Sequence, residues 1–330
     1  MGLGKMGREM VLHLLEEGID VVAYNRSVEK IETLINDVKQ ADPTVHFLGN
    51  LTPEYSIDEL VSTLTTPRVI WLMVTHGPGV DEVLAKLLKA GLQKGDTIID
   101  GGNCHYKESK RHYDELGKIG INYMDVGTSG GLEGARNGAC LMIGGDKEIY
   151  KKLEPIFEKL AVKGGYAYFG PAGAGHFVKM VHNGVEYGML QALGEGFEIM
   201  SRGPYKLDYR MVAKNWSHGS VVRGWLTELL EKAFSQDAKL DGIEGVVGGG
   251  TTGKWTIETA REFGVETPVI YESLRARETS GVKPTFAGKI VAALRNQFGG
   301  HPIQTLPRAG GLQPRAREER SYGASEMKKK

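Results

Sequence analysis

The sequence predicts an α/β protein, a doubly wound, largely parallel sheet followed by an all-α C-terminal domain. Three observations carry that reading. Short apolar runs alternate with amphipathic stretches as far as about residue 170; long helical stretches then replace them; and 330 residues suit roughly two domains. The apolar runs are Val21–Tyr24, Val69–Val74, Thr97–Asp100, Tyr123–Val126 and Cys140–Ile143. Segments of helical period lie near 8–17, 27–39, 80–92, 107–119 and 147–160, the spacing of βαβ crossovers. A turn cluster at Gly164-Gly165 and Phe169-Gly170-Pro171 closes this part, and a proline-free stretch from Ala172 to Arg202 opens the next, stopping at Gly203-Pro204. The expected division is therefore 1–170, 171–306 and a tail, 307–330, that is rich in Gly, Pro and charge and expected to be disordered.

Composition excludes several classes. Lys plus Arg number 41 and Asp plus Glu 41, so the chain lacks the basic excess of a dedicated nucleic-acid or anionic-membrane binder. The tail carries seven basic residues against three acidic ones and reads as a solvated terminus. Two cysteines, Cys104 and Cys140, make no disulfide framework and no metal-ligand spacing, which points to a reducing, cytoplasmic setting. No apolar run approaches the roughly 18 residues of a membrane span, and no charged leader is expected. His105, His112 and His218 have no partner at ligand spacing, so no metal is assigned, and Cys104 reads as a small filler residue.

Gly2-Leu3-Gly4-Lys5-Met6-Gly7 fits the Rossmann-type G-x-G-x-x-G pattern and opens into an amphipathic helix, which is followed by the strand Val21–Tyr24. Such glycines admit a tight turn and a close approach of backbone to a pyrophosphate, and the helix start supplies N–H groups. The pattern should follow an apolar strand, yet only Met1 precedes Gly2. The expectation is thus either an upstream start or a sheet lacking its central strand. After the second strand stand Asn25-Arg26-Ser27, with no carboxylate to hold a ribose hydroxyl. A guanidinium there can accept a 2′-phosphate, with Asn and Ser adding hydrogen bonds, so NADP is favoured and NAD remains open. Ser27 also suits the N-cap of the next helix. Val74 and Asn103, at strand ends, complete the expected cofactor contacts.

On the long helix, Lys179, His182, Asn183 and Glu186 share one face, and Lys179 and Glu186 are spaced about 10.5 Å along the axis. Gly184, Gly188, Gly194 and Gly196 suit close packing and argue that this polar stripe is interior, where it must be paired or bind a ligand.

The run Lys179-Met180-Val181-His182-Asn183-Gly184-Val185-Glu186-Tyr187-Gly188, with Asp100-Gly101-Gly102-Asn103 and Ser129-Gly130-Gly131, resembles the decarboxylating 6-phosphogluconate dehydrogenases, particularly their shorter class. The likeness extends from Gly2 to about His301. It implies oxidation and decarboxylation of 6-phosphogluconate to ribulose 5-phosphate. Lys179 is then the general base and later acid, and Glu186 the acid that protonates the product carbon. Asn103, Ser129, Gly130, Gly131, His182, Asn183 and Tyr187 line the substrate pocket, and Arg277 binds phosphate. Arg295 and His301, in Arg295-Asn296-Gln297-Phe298-Gly299-Gly300-His301, resemble a segment that reaches a neighbouring subunit's substrate, which implies a homodimer or homotetramer with shared sites. Longer members place a lysine before Gly-Thr-Gly-Lys-Trp; here Gly250 precedes Thr251-Thr252-Gly253-Lys254-Trp255, which leaves Thr252 as the phosphate contact and Lys254 as structural. For such chemistry Lys179 must titrate well below the usual value of about 10.4 and Glu186 above its own. Two other readings stay open: a β-hydroxyacid dehydrogenase of the 3-hydroxyisobutyrate or tartronate semialdehyde type, and a cofactor-binding protein without turnover.

Overall fold

A computed structural model describes residues 1–305; the expectation for the tail lies outside them. The N-terminal part runs α1 (Lys5–Glu16), β1 (Val21–Tyr24), α2 (Val28–Lys39), β2 (Leu51–Glu54), α3 (Ile57–Thr63), β3 (Val69–Leu72), α4 (Pro78–Lys89), β4 (Thr97–Asp100) and α5 (Tyr106–Gly117). It continues through β5 (Asn122–Ser129), α6 (Gly131–Asn137), β6 (Ala139–Gly145), α7 (Lys147–Leu160) and β7 (Ala161–Gly170). Strands alternating with helices build the expected Rossmann-like layer, parallel except where β6 runs against β5.

The sheet lies in two parts, β1-β2 and β3-β4-β5-β6-β7. Between them sit Met1 and Gly2. The Gly2 N–H donates to Tyr24 O at 3.0 Å on one side, and on the other the Met73 N–H donates to Met1 O at 2.8 Å. The ladder is interrupted at this position, and backbone bonds to both edges span the interruption.

Two strands escape the sequence reading. β2 has the short, proline-containing sequence Leu-Thr-Pro-Glu, tolerable because it is an edge strand. β7 contains Gly164-Gly165, which is not a turn between elements: the register jumps from Ala139↔Ala161 to Leu141↔Tyr166, so the glycines form a bulge, with Gly164 at φ +76°. The run expected at Val69–Val74 is a strand only as far as Leu72, after which the Met73 N–H donates to Met1 O instead.

Beyond β7, the chain is helical: α8 (Ala174–Arg202), α9 (Tyr209–Ser217), α10 (Trp225–Gln236), α11 (Thr251–Glu262), α12 (Pro268–Thr279) and α13 (Phe286–Gly299). Its core gathers Leu190 and Phe197 of α8, Leu229, Leu230 and Phe234 of α10, and Ile290, Val291 and Leu294 of α13. Gly194 lets the start of α13 approach the later turns of α8, since a Cβ there would stand 2.9 Å from Ala287 O.

The start of α8 is tied to the sheet by one buried carboxylate. Asp125, fully buried on β5, accepts the Gly173 N–H at 2.7 Å and the His176 N–H at 2.8 Å. A carboxylate against a helix start satisfies otherwise orphaned donors and opposes the helix dipole. The approach needs glycines: a Cβ on Gly175 would stand 2.4 Å from Met142 O, and one on Gly144 would stand 2.6 Å from the Asp125 carboxylate.

Replacing Asp125 by Ala strands two buried N–H groups. The expected cost is about 3 kcal/mol, read as a lower urea midpoint at unchanged slope, and Asp125→Asn, which keeps one acceptor oxygen, should cost less. Equal midpoints for wild type and Asp125→Ala would refute the tie.

Candidate active site

The carboxyl ends of β3, β4 and β5 face α8, α11, α12 and the end of α13 across a cleft of about 710 Å³. Lys179, His182, Asn183, Glu186 and Tyr187 of α8 line it, as their shared face predicts. So do Asn103, Ser129, Gly130, Gly131, Thr252, Arg277, Arg295 and His301. Every residue expected to contact substrate therefore meets in one cavity.

A chain of polar contacts fixes the centre. Ser129 Oγ lies 3.0 Å from His182 Nε2, His182 Nδ1 lies 3.2 Å from Asn183 Oδ1, and Asn183 Nδ2 donates to Asn103 Oδ1 at 3.4 Å. The Asn183 oxygen can only accept, so Nδ1 carries the proton and Nε2 accepts from the Ser129 hydroxyl. Lys179 Nζ stands 3.5 Å from the same Nδ1. Burial, then the nearby Lys179, lowers the His182 pKa, which keeps the ring neutral.

Burial pulls the Lys179 ammonium down to about 8, against the pull of Glu186. It pushes the Glu186 carboxyl up, against the attraction of Lys179, Arg277 and Arg295. Desolvation thus moves an acid and a base toward each other's range. Arg277 is buried with its guanidinium 3.6 Å from the Tyr187 ring centroid, and the Tyr187 hydroxyl lies 3.3 Å from Thr252 Oγ1. Burial and the neighbouring Arg295, Lys5 and Arg277 pull His301 down to about 4, so it too is neutral. Among the formally charged lining residues, Lys5, Lys179, Arg277 and Arg295 face the single acid Glu186. In a chain with no net charge, that concentration selects a multiply anionic ligand.

The glycine loop has the shape of a nucleotide cradle. A Cβ on Gly7 would stand 2.0 Å from Gly2 O, and Gly2, at φ +92°, would meet Met73 O at 2.4 Å, whereas nothing lies within 4 Å of one on Gly4. Gly4 caps α1 without a side chain, leaving the first-turn N–H groups for a ligand's oxygens. Lys5, Met6, Val74 and Asn103 reach the cleft.

A model described as the NAD binding domain of 6-phosphogluconate dehydrogenase matches residues 1–170, and one for that enzyme's C-terminal domain matches 175–297. The chain belongs to the 6-phosphogluconate dehydrogenase family. A family relative, the Bacillus subtilis protein YqeC, provisionally named for this activity, is 48% identical over 92% of this chain and 98% of its own. A decarboxylating, NAD(+)-dependent 6-phosphogluconate dehydrogenase of Haloferax volcanii is 40% identical over 92% of this chain and 97% of its own. Among solved structures, the Plasmodium falciparum 6-phosphogluconate dehydrogenase, described with NADP+ and with 6-phosphogluconate, superposes with TM-score 0.77 at 33% identity, covering 86% of this chain and 62% of that one.

Within this family frame, the other expected residues have these places. Arg295, near the end of α13, and His301, just beyond it, line the cleft of their own chain. Asn25 serves the loop itself, accepting the Leu3 N–H at 2.9 Å and donating to Ser27 O at 3.1 Å. Ser27 occupies the N-cap of α2, but its side chain makes no capping bond. Lys254 lies outside the cleft lining, 3.9 Å from Glu258, as a structural surface residue does.

Sequence reasoning missed Gly127. It lies at the β5–α8 crossing, where a Cβ would stand 2.3 Å from the Lys179 Cβ. Its only sequence signal is its place in the strand-end run Val126–Gly131. Gly127→Ala is expected to shift Lys179 and lower the turnover number about a hundredfold, with coenzyme affinity unchanged, as steady-state kinetics can check.

Proposed function

We propose that this chain oxidises and decarboxylates 6-phosphogluconate to ribulose 5-phosphate, with NADP as the favoured oxidant. The observation that carries the reading is the pairing of a half-buried lysine with a half-buried glutamate in a cleft rich in cations. A phosphate and a carboxylate on one small molecule match that field, and Arg277 with Thr252 and Tyr187 forms the natural phosphate corner.

A bound nicotinamide supplies the hydride acceptor. The chain's own groups do the proton chemistry. Neutral Lys179 takes the proton of the C3 hydroxyl as that carbon is oxidised, and the resulting ammonium polarises the C3 oxygen while carbon dioxide leaves. Protonated Glu186 then delivers a proton to C1 of the enediol. Asn103, Ser129, His182 and Asn183, locked to one another by hydrogen bonds, orient the hydroxyl groups.

The coenzyme preference rests on Arg26. It is exposed, makes no ion pair among the described residues, and has no carboxylate beside it in Asn25-Arg26-Ser27. Because a relative of similar length carries an NAD(+)-dependent name, the choice needs a direct measurement. Absorbance of reduced coenzyme, followed with 6-phosphogluconate and either NADP or NAD, is expected to rise faster with NADP. A preference for NAD would overturn the coenzyme assignment alone; no reduction of either coenzyme would overturn the reaction.

The base must be neutral, so its protonation removes activity. With Lys179 titrating at about 8, kcat/KM should fall about tenfold per unit as pH drops below that value and level off above it. A profile that is flat between about pH 6 and about pH 8 would exclude Lys179 as the base.

A further inference from the structure

Behind the cleft lies a second cluster of chemically active side chains that the proposed reaction does not use. Asp100 ends β4, Cys104 follows on the loop to α5, and His176 occupies the first turn of α8. All three are buried, and one potential donor atom from each lies within 4.8 Å of the others.

His176 shows what the cluster lacks. Its Nδ1 is 2.6 Å from Ser109 Oγ, and the Ser109 hydroxyl itself faces His105 O at 3.5 Å. Ser109 thus engages Nδ1, which leaves Nε2 as the ring nitrogen free to bind something else. This Nε2 is buried and has no partner, in a residue only 1% exposed. An unpaired polar atom in a dry interior is costly unless something binds it.

We propose that Asp100, Cys104 and His176 form a buried site for a soft divalent cation, with zinc the best match. Thiolate, imidazole and carboxylate are the zinc donor types, and the Ser109 contact on Nδ1 is the outer partner that orients a ligating histidine. Charge balances: the cation displaces the thiol proton to solvent, and thiolate plus carboxylate cancel the two positive charges. The Asp100 oxygens keep their bonds to the Gly102 N–H at 3.0 Å and the Tyr123 hydroxyl at 2.9 Å through their remaining lone pairs. The donors need to draw in by on the order of 1 Å to reach zinc bonds of about 2.0–2.3 Å, and three protein donors leave a fourth position open.

Cobalt(II) is the probe, titrated into the full chain without added coenzyme. One equivalent is expected to give a thiolate-to-cobalt charge-transfer band that disappears when zinc is added. Cys104→Ser should abolish the band with the circular dichroism unchanged, and Cys140→Ser, at the exposed thiol, should leave it intact. No band in the wild type, a band that survives Cys104→Ser, or one lost in Cys140→Ser would overturn the site. Should Cys104→Ser not fold, zinc-edge X-ray absorption of the wild-type protein decides: one sulfur at about 2.3 Å supports the proposal, and none defeats it.

Discussion

The Asp125 carboxylate, clamped on the first turn of α8, is the constraint on which the cleft depends. α8 carries Lys179, His182, Asn183, Glu186 and Tyr187, so any rotation or slide of its start moves them all. A helix twenty-nine residues long could pack against a sheet in many registers. Here the two oxygens of Asp125 choose one by accepting two specific N–H groups, and Gly127, Gly144 and Gly175 remove the side chains that would prevent it. Glycines inside a helix and a strand normally cost stability. At this crossing that cost is exchanged for backbone contact and a fixed azimuth for the polar face.

The electrostatics follow from that placement. Sinking an ammonium and a carboxyl into one cleft shifts each toward neutrality, and in both cases desolvation outweighs their mutual attraction. The surrounding guanidinium groups of Arg277 and Arg295 oppose the shift in Glu186 but do not reverse it. A cleft of this kind is primed to hold an anion while exchanging protons with it, whereas a solvated Lys/Glu stripe would be ionised on both sides and do neither.

Much of this was legible in the sequence because it is local. Helical periodicity places the α8 stripe, and the glycine pattern with its following helix gives the nucleotide loop. What was not legible depends on partners distant in sequence. β2 and β7 are edge strands with polar or glycine-rich sequences, and only their pairing with β1 and β6 identifies them as strands. That Asn25 accepts from Leu3, twenty-two residues away, shows only in the fold. That Arg295 and His301 also line their own chain's cleft shows only once α13 is packed along α8. The nearness of Cys104 to His176, seventy-two residues on, likewise shows only in the fold.

The break in the sheet bears on how the two walls of the cleft are held together. The glycine loop hangs from Met1 and Gly2, whose backbone bonds reach β1 on one side and the chain just past β3 on the other. Lys5, the first residue of α1, donates from Nζ to Gly300 O at the end of α13, and Gly131, at the start of α6, admits Phe298 O where a Cβ would clash at 2.0 Å. The nucleotide loop, the strand-end glycines and the last helix thus meet at one point, beside His301. Lys5 lines the cleft while bonded to the far wall, so its ammonium stands where an anion held in the cleft meets both walls. The loop anchored by Met1 and Gly2 is thereby joined through α1 to the wall that carries Arg295 and His301, almost three hundred residues along the chain.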